Sequence, residues 1–195
     1  MGMLLNNPSI PICCSDFGYT DEKSGRFTLL SKKLLNNTFA PLVLEPISLI
    51  PLMSKSDFWI PAHTTIIKRD SIIKYGGFKQ ELLEKCDWYL FHLIALKEGV
   101  IYLPKPLSYI YCHSTSYGAR VKSNKILRRK SANAIMHNLR ADNEIFSLFL
   151  RSTALKVILM QNPFILLNSF KSWLIFYYCL NIHHIKKLLR KFGFE

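Results

Sequence analysis

The side chains best placed to do chemistry in this sequence gather between residues 63 and 120. Asp87 stands at the head of a largely apolar run. An aspartate there either caps a helix by accepting its first N–H groups or, left free, takes a proton from a reacting hydroxyl. Trp88 and Tyr89 beside it suit a core or the wall of a pocket more than a stacking platform for a ring. Gly76-Gly77 marks a turn that needs residues without a Cβ. His113, three residues before Ser116, ends a strand-like run. An imidazole there is either a solvated strand-end ring or a functional contact. His183-His184 lacks a cysteine or acidic partner and suits a solvated helix face rather than a metal site. The cysteines (Cys13, Cys14, Cys86, Cys112, Cys179) are odd in number and form no C-x-x-C pair. That argues against a disulfide framework and a zinc knuckle, and fits a reducing, cytoplasmic setting. Cys13 and Cys14 are neighbours, so along a strand they face opposite ways as small hydrophobes.

The elements that must hold these residues are read from periodicity and breaks. Met1 to Asn7 reads as a helix end, stopped by Asn6-Asn7-Pro8. Ile10 to Phe17 is a short apolar strand, with turn-rich Thr20 to Gly25 after it. Residues 28–60 mix short apolar runs with Pro41, Pro46 and Pro51, and read as helix pieces and irregular connection. Thr64 to Ile67 is β-branched and strand-like, and Arg69 to Tyr75 makes two helical turns before the glycines. Asp87 opens a helix through Glu98, with Leu90, Leu93, Ile94 and Lys97 on one face and Gly99 as its C-terminal cap. Val100 to Leu103 and Leu107 to Cys112 read as two strands around Pro104-Lys105-Pro106. After Arg120 the chain is helical and basic.

Composition divides the chain at the same place. Hydrophobic residues make up 49% and charged ones 20%, enough apolar material for a folded core. The formal net charge is +13, and residues 121–195 hold 13 basic against 3 acidic side chains, so that segment alone carries +10. Such a segment meets phosphate, in nucleic acid or on an anionic membrane. Residues 154–182 contain no run of the roughly 20 apolar residues that span a bilayer. Trp173, Tyr177 and Tyr178, flanked by Lys156, Lys171, Lys186, Lys187, Arg190 and Lys191, suit a helix lying in the membrane interface. The alternative is that these apolar faces pack on a further part of the protein. A nucleic-acid reading would use Lys122, Lys125, Arg128, Arg129 and Lys130, but there is no helix-turn-helix or aromatic ribonucleoprotein signature. The N-terminus lacks a signal peptide's basic and apolar regions, and position 6 is Asn where myristoylation wants Ser or Thr. The expectation is a cytoplasmic protein, peripheral to the membrane's cytoplasmic face.

Residues 63–120 resemble a run found in inverting family 2 glycosyltransferases of the GT-A fold. The resemblance rests on Arg69, Gly76-Gly77-Phe78, Asp87, Gly99, Pro106-Leu107, and His113 with Ser116, in that order. Upstream, Asn7-Pro8 through Asp16 and Asp21 to Gly25 are similar to the segment that comes after that family's nucleotide-binding half. The likeness thus covers roughly residues 1–120. It implies an α/β fold, with a partial GT-A domain over 1–120 and a basic helical tail over 121–195. The implied parent activity moves a hexose from a nucleotide sugar to a surface glycan or lipid-linked acceptor. Asp87 would take the acceptor's proton as its oxygen attacks the anomeric carbon. Gly76, Gly77, Phe78, Trp88 and Thr64 would line the substrate site, and His113 would contact the metal.

The family neutralises the departing diphosphate with a divalent metal, Mg or Mn, held by an Asp-x-Asp motif. No Asp-x-Asp occurs in these 195 residues. Asp142-Asn143-Glu144 has similar spacing but lies in the basic tail, in the wrong chain order. The strand–helix units with which that family holds its nucleotide are expected to have no counterpart in these 195 residues. The expectation is therefore an acceptor-side piece, inactive alone. Two departures are local: Cys86 stands where the family has Glu before its Asp, and Tyr111 where it often has Arg.

Overall fold

The computed structural model describes residues 2–20, 29–36, 38–56, 58–111 and 115–161. The chain is an α/β protein built on one mixed sheet. Helix α1 (Gly2–Asn6) leads into strand β1 (Ile12–Thr20), and Asn7 closes the helix by donating from Nδ2 to the Met3 carbonyl at 2.8 Å. Strands β2 (Leu29–Lys32) and β4 (Ile66–Ile67) both pair antiparallel with β1, at its opposite ends. β1 also pairs in parallel with β5 (Val100–Tyr111), and β3 (Leu42–Leu44) pairs antiparallel with the start of β5.

β1 is central, and its side chains show it. Cys14 joins Ile12 in the main apolar core, whereas Cys13 joins Leu4, Ile10 and Ile101 in a smaller cluster. The two cysteines thus face opposite ways, and burial pushes both thiols above their ordinary range. Parallel pairing requires a long crossover. Helices α2 (Pro46–Lys55), α3 (Arg69–Lys74) and α4 (Cys86–Glu98) lie within it. Every residue of α4 from Trp88 to Leu96 is buried. A helix that is apolar all round belongs inside, covered on every side.

Part of that cover comes from beyond residue 120. Helix α5 (Tyr117–Ser123) is capped by Ser116, and α6 (Lys125–Arg140) by Asn124, whose side chain accepts from the N–H groups of Ile126 and Leu127. Helices α7 (Asn143–Arg151) and α8 (Lys156–Gln161) complete the described chain. Ile135, Leu139, Phe149 and Leu155 are fully buried in the same core as Ile12, Ile94 and Tyr102. The Phe149 ring stacks on Tyr89 with centroids 5.6 Å apart, and Lys97 forms an ion pair with Glu144 across α4 and α7. Packing therefore runs straight across position 120.

The structure departs from the periodicity reading in three places. The two strands expected around Pro104-Lys105-Pro106 are one strand, β5. Its register against β1 slips twice, so that Ser15 faces Leu103, Asp16 faces Pro106 and Phe17 faces Ser108. Prolines cannot donate to a ladder, and bulges accommodate them without ending the strand. The strand expected over Thr64 to Ile67 is shorter, because Ala62–Thr64 forms a 3-10 turn and only Ile66–Ile67 pairs. Residues 28–60, expected as helix pieces and irregular connection, hold β2, β3 and the ten-residue α2. Pro46 opens α2 in the first turn, where a missing N–H costs nothing.

Candidate functional site

The candidate site begins ahead of α4. Gly76 and Gly77 have φ of 82° and 68°, and both come just after α3. Gly77 N–H donates to the Ile72 carbonyl at 2.9 Å and Gly76 N–H to that of Ile73 at 3.1 Å, the paired bonds of a Schellman cap. No atom lies within 4 Å of a Cβ built on either glycine, so the backbone angle, not space, demands glycine here. Phe78 then lays its ring edge-on to Phe91 at 5.9 Å while staying half exposed.

A second 3-10 segment, Gln80–Lys85, runs from there to α4. Inside it Leu83 adopts φ 53° and ψ −127°. That conformation costs a residue bearing a side chain about 1–3 kcal/mol. Leu82 beside it is fully buried, and its carbonyl accepts from Ser131 Oγ of α6 at 2.8 Å. The segment is thus pinned to α6 in a strained shape.

Asp87 lies in the first turn of α4, which starts at Cys86, one residue earlier than expected. It is half-buried, and its Oδ1 accepts the N–H of Trp88 at 2.6 Å. No other hydrogen bond or ion pair of its carboxylate occurs among the described residues. Two of its neighbours carry no sequence signal. His63, in the Ala62–Thr64 turn, feels the Asp87 charge; burial lowers its pKa and the carboxylate partly offsets that. Its ring meets Phe17 edge-on at 4.8 Å. Lys85 is the N-cap residue of α4, makes no capping bond, and is only 9% exposed. Burial lowers its pKa, with Glu84 and Asp87 opposing and Lys122 reinforcing that shift. Neither residue belongs to a motif; Lys85 stands two residues before Asp87 in the chain, whereas only the fold brings His63 near it.

The other expected contacts are placed as follows. Thr64 Oγ1 donates to the Pro61 carbonyl at 3.1 Å and accepts the Ser15 N–H at 3.2 Å, which ties the turn to β1. Trp88 is buried, its ring 5.0 Å from His92 and 5.7 Å from Phe149. His113 lies outside the described residues, as do His183-His184, Trp173, Tyr177 and Tyr178. Asp142 caps α7, accepting from Glu144 N–H at 2.8 Å and Ile145 N–H at 3.0 Å, so its resemblance to a metal motif has a structural explanation. Among the described residues, no three His, Cys, Asp or Glu side chains come together to hold a metal. No family model, curated protein or solved structure matches this chain.

Proposed function

We propose that this chain provides the acceptor side of an inverting sugar transfer, in the manner of GT-A glycosyltransferases, with Asp87 as the general base. The observation that carries this reading is the carboxylate of Asp87. It sits half-buried at the start of a helix otherwise locked in the core, and only one of its oxygens is engaged among the described residues. A carboxylate so held can accept the proton of a sugar or lipid-linked hydroxyl as that oxygen attacks the anomeric carbon. Attack from the face opposite the nucleoside diphosphate inverts that centre. The strained segment before Asp87 and the cap at Gly76-Gly77 support the reading, because both restrict where the carboxylate can lie. The acceptor would be a surface glycan or lipid-linked sugar at the cytoplasmic face of the membrane, and the donor a nucleotide sugar.

The test uses the full chain with nucleotide sugars and prenyl-diphosphate-linked acceptors, alone and with membranes from cells that express it. Transfer is expected only with the membranes, which supply a donor-binding chain. Asp87→Asn should reduce it by a factor of about 10² to 10⁴, the usual contribution of a positioned base. Its circular dichroism should match the wild type. Wild-type rates in Asp87→Asn would remove Asp87 from this role, and metal-dependent turnover by the chain alone would show that the donor site is already present.

A further inference from the structure

Helix α6 meets the chain ahead of Asp87 with two polar side chains on one face. Ser131 is almost fully buried, and its Oγ donates to the Leu82 carbonyl at 2.8 Å. Asn138 stands about two helical turns further along, which returns it to the same face. Its Oδ1 accepts from Lys79 Nζ, while its Nδ2 donates to the Ala134 carbonyl at 3.0 Å and so fixes the amide's orientation. The Lys79 ammonium also lies 5.7 Å from the centroid of the Tyr89 ring on α4. The two bonds therefore grip Lys79 and Leu82, just before and within the Gln80–Lys85 segment, and Leu83 follows the second grip directly. Its φ of 53° and ψ of −127° are open to glycine but strained for leucine. A residue keeps such a shape only where its surroundings hold it. From Leu83 the chain passes through Glu84, Lys85 and Cys86 to Asp87.

We infer that Ser131 and Asn138 of α6 are positioning residues for Asp87, holding Lys79 to Leu83 in a strained path that fixes where α4 begins and where the carboxylate lies. The catalytic consequence rests on the reading of Asp87 as the base; the grip itself does not. A base acts only within reach of the proton it takes, and a displacement of about 1 Å costs on the order of 10²-fold in rate. Without the Ser131 hydroxyl, the Leu82 carbonyl loses that buried donor and Leu83 relaxes towards an ordinary conformation. The turn ahead of α4 then shifts, and Asp87 shifts with it. By composition α6 belongs to the basic segment, yet its inner face serves the site.

Two readouts on the full chain test this. Amide hydrogen exchange across residues 79–87 reads the grip, and transfer with membranes from expressing cells reads Asp87. Ser131→Ala and Asn138→Leu should each speed that exchange about tenfold or more. Each should also lower kcat about tenfold or more, with the acceptor KM within a factor of about two. Asn138→Asp keeps the acceptor for Lys79 and should stay close to the wild type, as should Asn133→Ala on the exposed face of α6. Ser131→Ala combined with Leu83→Gly separates positioning from general weakening. Glycine adopts the Leu83 angles without strain, so the double variant should regain most of the lost rate. Should Ser131→Ala fail to fold, Asn138→Leu with and without Leu83→Gly carries the same test. Unchanged exchange in both single variants, or faster exchange with transfer at the wild-type rate, would overturn the inference. So would a lost rate that Leu83→Gly fails to restore. Wild-type transfer in Asp87→Asn, with the exchange effects present, would overturn the base and leave the grip standing.

Discussion

Asp16 is almost wholly buried in the middle of β1, yet it is an acidic residue. Its Oδ1 accepts the Tyr102 hydroxyl at 2.6 Å and the Leu34 N–H at 2.8 Å, and the Tyr102 oxygen in turn accepts the Leu35 N–H at 3.4 Å. Burial, and then the carboxylate, push the tyrosine pKa upward. Tyr102→Phe removes a donor from a buried carboxylate and an acceptor from a buried amide, so it should cost about 3 kcal/mol in urea unfolding. Loss below about 0.5 kcal/mol would show that the network is not holding the loop to the sheet. His92 makes a second residue-scale case. It is fully buried, its Nδ1 donates to the Trp88 carbonyl at 2.7 Å, and desolvation lowers its pKa to about 4. The unfolded chain then binds the extra proton first, so stability falls as pH drops below the ordinary histidine value of 6.5 and levels off near 4. The loss from this residue is on the order of 3 kcal/mol. His92→Phe should flatten that part of the pH profile, and an unchanged slope would assign it elsewhere. Asp87 is legible in the sequence because a carboxylate before an apolar helix is a recognisable pattern. His63 and Lys85 are not, because their meaning depends on which turn folds beside them.

At the scale of elements, α4 and its end are the most legible feature. The helix closes with the Gly99 N–H donating to the Ala95 carbonyl at 2.8 Å. Gly99 has φ 90°, and a Cβ there would lie 2.7 Å from the Leu44 carbonyl oxygen and 2.8 Å from Ile10 Cδ1. Both angle and space forbid a side chain. Gly99→Ala should therefore destabilise the fold by about 2 kcal/mol or more, and a melting temperature equal to wild type would mean that β3 yields instead. β5 is hard to read for a physical reason. Two prolines in three residues look like an interruption, and only the neighbouring strand shows that bulges absorb them. Residues 28–60 are opaque because Pro46 and Pro51 both fall inside one helix, where sequence rules read breaks. The Thr64 turn is similar: β-branched residues suggest strand, but hydroxyls bonding back to the Pro61 carbonyl turn the chain first.

At the scale of the molecule, the charge boundary at residue 120 does not coincide with an edge of the core. Helices α6 and α7 bury Ile135, Leu139 and Phe149, while Lys125, Arg129 and Lys130 of α6 stay exposed, so the basic charge lies on the outer side of a structural layer. Ile126 is 79% exposed among those cations, and Tyr117 of α5 is 53% exposed. Composition reveals the charge but not the core beneath it. No helix among the described residues is long and apolar enough to cross a membrane. An anionic surface would contribute about 1 kcal/mol for each Lys or Arg that reaches it. The same cations would attract nucleic acid, and charge alone cannot separate the partners. Apolar groups can. Co-sedimentation of the full chain with vesicles of phosphatidylglycerol in phosphatidylcholine should be strong at low salt. It should persist in part at moderate salt, and weaken several-fold in Ile126→Ser and in Trp173→Ala with Phe176→Ala. Duplex DNA held through phosphates should be indifferent to all three changes, because none removes a cation. Vesicle binding that vanishes at moderate salt and ignores these substitutions would reduce the face to a general electrostatic patch. Retention of DNA at moderate salt without vesicle binding would turn the assignment toward nucleic acid.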